Sequence, residues 1–353
     1  MRVKDTGSIS IRLLTHNIRY ATESPFKGEV PWRDRRSLLC NNLIFNTRHN
    51  PEALICLQEV LHDQLLDIRR ALDGTPHGQD PPSSSSASSS SVPPSSSSAL
   101  PADLLAPRPA WAYIGVGRED GHERGEYAPI FYRPSVWSVQ HFETIWLSET
   151  PDRPSRGWDA ASIRILTVGI FQHRASHRHV VVFNTHLDDQ GTRSRTEAAK
   201  VIMRAAERFA DPDYVLIPPP PPPPPGHPRS TLTFPVLLAG DLNSPEGQGA
   251  HGLLNAPRSP VQDVRELVDG RLVAGEHYTF TGFKGGPDPP SVIDFLFLGP
   301  REQTRDRGLL LHGEMAAPPP WLVTSYVVLP NRAADCPVYM SDHRAVVADL
   351  VLR

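Results

Sequence analysis

Residues suited to metal and phosphate chemistry recur in this sequence where short apolar runs end. His16 and Asn17 follow the run from Ile9 to Thr15, and Gln58 and Glu59 follow Ala53 to Leu57. Glu126 and Tyr127 precede the run from Pro129 to Tyr132, and His186 and Asp188 follow Val180 to Asn184. Asp241 and Asn243 follow Pro235 to Ala239, Asp294 lies within Val292 to Leu298, and Asp342 with His343 precedes Ala345 to Val351. Taken singly, each has an ordinary explanation: a Glu that closes a strand is a solvated end, and a lone His satisfies a local hydrogen bond. The recurrence carries the weight. Strands packed into a sheet hold their terminal residues rigidly at one rim, where carboxylate, amide and imidazole can converge on a hard cation and a phosphate. Asp241 and Asn243, two apart on an extended segment, point to the same side of the sheet. No Ser or Cys nucleophile motif accompanies them.

The elements that must position these groups alternate along the chain. After the first run, Arg35 to His49 has Leu38, Leu39 and Leu43 at helical spacing and stops at Asn50-Pro51, because the residue before proline is pushed out of the helical region. Leu61, Leu65, Leu66, Ile68 and Leu72 form the apolar stripe of a second helix. Trp111 to Ile114, Pro129 to Tyr132, Val136 to Phe142 and Ile163 to Phe171 read as strands whose spacing predicts an antiparallel meander. Arg193 to Phe209 carries Ala198, Val201, Ile202, Ala205 and Phe209 on one helical face. The late strands are Val292 to Leu298, Trp321 to Val328 and Ala345 to Val351, and no internal repeat of fixed period is present.

Two tracts stand apart. Residues 81–98 are almost wholly Ser and Pro, a composition that cannot bury enough apolar surface to offset the entropy of ordering, so a disordered insertion is expected. Residues 218–225 are an uninterrupted proline run, extended because each ring fixes its own backbone angle. It reads as a loop insertion, with a ligand for a proline-binding partner as the less favoured alternative.

Composition bounds the function classes. The 353 residues carry 36 Lys and Arg against 39 Asp and Glu. A formal charge of -3 excludes affinity from a broad basic face on nucleic acid but not a local grip on a few phosphates. Three cysteines without C-x-x-C spacing, Cys40, Cys56 and Cys336, indicate neither a disulfide framework nor a zinc site. The first twenty residues hold no signal-type apolar region and no stretch is long enough to cross a bilayer. The expectation is a soluble, cytoplasmic or nuclear protein, monomeric, with residues 1–353 forming one catalytic domain.

The segments LLTHNIRY, LICLQEV, GEYAPIFYR, VVFNTHLDD, VLLAGDLNS, SVIDFLFLG and MSDHRAVVADL, in this order from Ile11 to Leu352, resemble the endonuclease/exonuclease/phosphatase superfamily. The resemblance implies an α/β (α+β) fold, a four-layer sandwich of two mixed β-sheets flanked by helices. It also implies Mg2+ or Mn2+ dependence, with Glu59 as the metal carboxylate and Asn17 and Asp342 in support. Asp241 would activate the attacking water, Asn243 and His186 would hold the phosphate, and His343 would contact the scissile phosphate with Asp294 behind it. A carboxylate on one ring nitrogen fixes the tautomer and favours the imidazolium, a good partner for charge growing on phosphorus. Glu126 or Tyr127 would support substrate.

Within the superfamily, GVGREDGHERGEYAPIFY and WLSETPDRPSRGWDAA are similar to the catalytic domain of carbon catabolite repressor deadenylases. That likeness implies 3'-to-5' exonuclease activity on RNA. The alternatives are a phosphomonoesterase or phospholipid phosphodiesterase, and a non-catalytic scaffold working through its Ser-rich and poly-Pro segments. Trp146 and Trp158 are further candidates for substrate contact, and Arg193 and Arg195 read as solvated surface.

Overall fold

A computed structural model describes residues 7–74, 110–215, 233–283, 289–301, 320–333 and 335–353. Both low-complexity tracts, 81–98 and 218–225, lie outside the described residues. In chain order the elements are β1 (Ile9–Asn17), α1 (Trp32–Thr47), β2 (Leu54–Gln58), α2 (His62–Leu72), β3 (Ala112–Ile114), β4 (Ile130–Tyr132), β5 (Trp137–Trp146), β6 (Ile165–His173) and β7 (His179–His186). Then follow α3 (Thr192–Ala210), α4 (Pro212–Val215), β8 (Val236–Asp241), α5 (Gly249–Leu254), β9 (Gln262–Asp263), α6 (Val264–Leu267), β10 (Val273–Gly275), β11 (Asp294–Gly299), β12 (Trp321–Val328) and β13 (Val346–Leu352).

The strands form two mixed sheets, one ordered β10-β12-β13-β1-β2-β4-β3 and the other β5-β6-β7-β8-β11-β9. Pairing is antiparallel except for β1 with β2, β7 with β8 and β10 with β12. Side chains alternate across each strand, and here both faces of the central strands are covered. Ile9, Ile11 and Leu13 of β1 join Trp137, Phe171, Val182, Ala239, Leu296 and Val346 in the core between the sheets. Leu14 faces outward to Leu39, Leu43 and Ile68 of α1 and α2. Behind the second sheet, Ala198, Ile202 and Phe209 of α3 pack on Phe183, Leu238 and Phe295. The result is helices, sheet, sheet, helices, the layering that the resemblance implies.

Two expectations need correction. The predicted meander is divided: β3 and β4 pair at the edge of the first sheet, whereas β5 and β6 pair at the edge of the second. The turn at Arg133–Val136 carries the chain across, with Val136 and Trp137 N–H groups donating to Arg133 O, and a period-two pattern does not encode which sheet a strand joins. The polar residues also belong to the strands more than the run lengths imply. His16 and Asn17 pair with Leu57 and Gln58, and His186 pairs with Asp241, so ladder hydrogen bonds reach into the site.

Candidate active site

Three neighbouring strands of the second sheet place their functional residues side by side. In the register His186 on β7 stands opposite Asp241 on β8, which stands opposite Asp294 on β11. The first sheet contributes Asn17 at the end of β1 and Glu59 directly after β2. Asn17 joins the two sheets: its amide donates to Glu59 Oε1 at 2.9 Å and to Asp241 Oδ2 at 3.0 Å. Beneath it, Gln58 Nε2 donates to Asn184 Oδ1 at 2.7 Å and to Thr15 Oγ1, and Asn184 Nδ2 donates to Leu57 O and Pro129 O at 2.8 Å. Gln58 and Asn184 are therefore a buried polar staple between the sheets, with both amide NH2 groups donating.

The loop before β13 brings the remaining groups. His343 Nδ1 meets Asp294 Oδ2 at 2.9 Å, and its Nε2 lies 3.7 Å from Asp241 Oδ2. Phe280 stands edge-on to the imidazole at 5.0 Å between ring centres. Ser341 Oγ donates to Asn17 O at 2.7 Å, tying Asp342 to the end of β1. On the other side Asn243 donates through Nδ2 to His186 Nε2 at 3.0 Å and to Leu187 O at 2.9 Å. His186 Nε2 is 3.5 Å from Asp241 Oδ2, and its Nδ1 faces Glu126 Oε2 at 3.8 Å. Arg19, Glu59 and Asn243 have positive φ, at 58°, 57° and 45°. Left-handed backbone is costly for Arg and Glu and easier for Asn, so three such residues around one recess mark a constrained site.

Glu59, Glu126, His186, Asp241, Asn243, Asp342 and His343 line a recess of about 820 Å³ that also receives Arg19, Tyr20, Arg118, Arg164 and Phe280. Among the predicted residues, Asn17 and Asp294 stand behind the lining, bonded to Glu59 and Asp241 and to His343 respectively, and Tyr127 turns away. Its hydroxyl turns to His62 Nδ1 at 3.0 Å and it is buried against the first sheet's helices, because adjacent residues in extended chain face opposite sides. Glu126, not Tyr127, faces the recess. Trp146 and Trp158 are also absent from its described lining. Trp146 donates through Nε1 to Arg118 O at 2.8 Å and supports that loop from behind. Arg195 caps Asp188 O at 2.8 Å.

Burial and crowding set the protonation states. Burial works against a charge on His343, yet the carboxylates of Asp294 and Asp241 outweigh it and raise the imidazole to about 10. Burial, then Arg164 and Arg118, push His186 well below its usual range. That histidine is neutral, consistent with Nε2 accepting from Asn243. Burial and the neighbouring Asp294 raise Asp241 to about 7, and burial with Glu59 raises Glu126 to about 7. Asp342 is also raised, first by burial, with His343 opposing and Glu59 adding to it. His16, buried below the site with Nε2 3.2 Å from His343 O, is lowered by burial to about 4.

Two groupings could take a cation. Donor atoms of Asp241, Asp294 and His343 lie within 4.8 Å of one another, but Asp294 already holds His343, and a charged imidazole repels a metal ion. Glu59 and Asp342 offer carboxylate oxygens, the donor chemistry a hard divalent ion takes, and Asn17 orients Glu59 through its Nδ2 while its Oδ1 accepts from Arg19 N. The fit is to that second grouping.

Sequence reasoning missed Arg19, Arg118, Arg164 and Phe280. Arg118 Nη1 donates to Glu126 Oε2 at 2.8 Å, and Arg164 donates through Nε to Asp188 Oδ2 at 3.3 Å and through Nη2 to Asp189 Oδ1 at 2.8 Å. Arg118 and Arg164 sit in the segments GVGREDGHERGEY and GWDAASIRI, where only the spacing from Glu126 and Asp188 could have signalled them.

No family model and no curated protein matches the sequence. Solved structures do. An endonuclease/exonuclease/phosphatase from Bacteroides vulgatus aligns over 98% of this chain and 99% of its own, at 26% identity and a TM-score of 0.68. A mannosyl-6-phosphatase from Bacteroides thetaiotaomicron aligns over 96% and 99%, at 23% identity and a TM-score of 0.66. TDP2 from D. rerio, complexed with a single-strand DNA product, aligns over 97% and 98%, at 15% identity and a TM-score of 0.58. With two stacked mixed sheets, a rim of carboxylates, amides and imidazoles, and this agreement over nearly its whole length, the chain belongs to the endonuclease/exonuclease/phosphatase superfamily.

Proposed function

We propose that the protein is a divalent-metal-dependent phosphoric ester hydrolase acting on the terminal phosphate of a small polar ester. The observation that carries this reading is the seating of Asp241, His186, His343 and Asn243 along one bounded recess of about 820 Å³, a size typical of small-molecule sites. The likeness to a mannosyl-6-phosphatase supports it.

Asp241 sits 3.5 Å from His186 Nε2 and 3.7 Å from His343 Nε2. A water between these groups can hand its proton to a carboxylate raised to about 7, a value suited to a base working near neutral pH. The water oxygen attacks phosphorus in line as the bond to the ester oxygen breaks. The His343 imidazolium, held by Asp294, donates to the oxygen on which charge grows. Asn243 and neutral His186, bonded to each other, border the opposite side of the phosphate. A divalent ion held by Glu59 and Asp342, with Asn17 orienting Glu59, would polarise a phosphoryl oxygen as a Lewis acid.

A second reading, removal of nucleotides from the 3' end of RNA, draws on Phe26 and Tyr20. Both line the recess beside Arg19, and Phe26 is 57% exposed, so either ring could stack a base. The test is phosphate or nucleotide release with Mg2+ or Mn2+ from sugar phosphates, poly(A) RNA, matched DNA, an inositol phosphate and sphingomyelin, with Glu59→Ala as control. Release of inorganic phosphate from small esters that requires Glu59 supports the first reading, and stepwise shortening of RNA supports the second. No turnover of any of them would move the protein to the scaffold class.

A further inference from the structure

A second depression of about 490 Å³ adjoins the recess and shares Arg118 and Ser162 with it. Its remaining lining is Glu119, Arg124, Arg156, Ala161 and Ile163. Three arginines thus face one carboxylate, on a chain whose net charge is -3. Glu119 is taken by Arg124 at 3.8 Å, and Arg156 has no ion pair among the described residues. Arg118 itself is fixed: its Nη1 holds Glu126 at 2.8 Å, and its carbonyl accepts from Trp146. The loop that carries it closes on itself, with Gly117 N donating to His122 O and Glu119 N to Arg124 O, while Asp120 Oδ1 accepts from the N–H groups of His122 and Arg124. The opposite wall is equally fixed, because Ala161 N and Ser162 N both donate to Asp188. Guanidinium groups on a preorganised frame, with more charge than their neighbours neutralise, are suited to a phosphate or carboxylate.

We propose that this depression takes a second anionic group of the substrate. The preferred substrate is then a phosphate ester that carries another phosphate or carboxylate, its reacting end over Asp241 and His343 and its other charge among Arg118, Arg124 and Arg156. The inference rests on the hydrolase reading and names the substrate class for it. The shared chemistry is a bis-anionic ester, whether the scaffold between the two charges is a sugar or a nucleoside.

The test is steady-state phosphate release with Mg2+ from two matched pairs, glucose 6-phosphate against glucose 1,6-bisphosphate and adenosine 5'-monophosphate against adenosine 3',5'-bisphosphate. Wild type, Arg156→Gln and Arg118→Gln are compared. Because Arg118 also holds Glu126, Arg156→Gln on an exposed side chain provides the variant that does not depend on that contact. The expected result is a kcat/KM preference of about tenfold or more for the bisphosphate of at least one pair, the yield of a charge-assisted hydrogen bond at an open site. It falls toward unity in Arg156→Gln and narrows as salt is raised. The pair that shows the preference identifies the scaffold. Turnover of both members of each pair with equal kcat/KM overturns the second-anion site and leaves the hydrolase reading standing. So does a preference that survives both substitutions. Turnover of none of the four overturns the hydrolase reading and this inference with it.

Discussion

Asp188 sits outside the reacting groups, yet it determines whether one wall of the recess exists. Its side chain has no exposed surface. Oδ1 accepts from the N–H groups of Ala161 (3.0 Å), Gly191 (2.7 Å) and Gln190 (3.2 Å), and Oδ2 accepts from Ser162 N (3.0 Å) and Arg164 Nε (3.3 Å). One carboxylate therefore ties the loop bearing Arg164 to the start of α3. Asp188→Asn keeps the shape but turns an amide toward N–H donors in either orientation, leaving without an acceptor either the three backbone N–H groups that meet Oδ1 or Ser162 N–H together with the buried Arg164 Nε. With Asp189 still holding Arg164 Nη2, the expected loss is about 3 kcal/mol, read as a shift of the urea midpoint at unchanged slope. Burial works against the Asp188 charge, but its three strongest backbone donors and Arg164 outweigh it and hold the carboxyl at about 2, against about 3.9 in an unfolded chain. A depressed folded-state value stabilises above the unfolded one and is lost as pH falls between the two. The stability gap between wild type and Asp188→Asn is therefore flat above about pH 5 and closes between about pH 4 and pH 2. KM rises in parallel, because Arg164 no longer has a fixed position at the recess. A loss below about 0.5 kcal/mol, or a gap that stays constant down to pH 3, would refute this account of the loop.

Chelation with EDTA abolishes turnover and added Mg2+ or Mn2+ restores it in wild type, whereas Glu59→Ala stays inactive at saturating metal with an unchanged melting temperature. Asp294→Asn removes the charge that holds His343, and kcat falls by roughly 10²–10⁴-fold with KM little changed, the pattern expected when an imidazole loses its orienting carboxylate. Arg35→Met costs about 3 kcal/mol in a denaturation experiment, because the fully buried guanidinium donates to Ile18 O, Arg19 O and Met340 O, and of these carbonyls only Arg19 O keeps another donor among the described residues, Gln64 Nε2. Deleting 81–98 and 218–225 together leaves the melting temperature within a few degrees and kcat within about twofold, since the described chain closes across both gaps. Trp111 N donates to Asp73 at 2.8 Å, and Phe234 N donates to Ala210 O at 2.7 Å, while shortening a closed loop changes its entropy only slowly.

The strand ends were readable because a strand imposes its own order. Asp241 and Asp294 fall on the last and first rungs of adjacent antiparallel strands, so an acid at each end of an apolar run already places the two side by side. What a linear pattern cannot supply is the pairing between runs far apart in sequence, which is why β3 through β6 read as one meander although they belong to opposite edges of two sheets. Side-chain identity misleads in the same way. Arg35 looks like the solvated start of a helix and is instead fully buried, its charge satisfied by carbonyls from both ends of the chain. Gln58 and Asn184, embedded in the motifs QE and NTH, look like reacting groups and instead bond the two sheets together beneath them. Tyr127 shows the limit most directly: its neighbour Glu126 faces the recess and it does not, a difference of one residue in an extended chain. The proposed catalytic groups are legible because the chemistry proposed for them requires particular residue types at strand termini. Arg118 and Arg164 are not, because an arginine in a loop acquires a role only when folding brings to it the carboxylate that holds it in place.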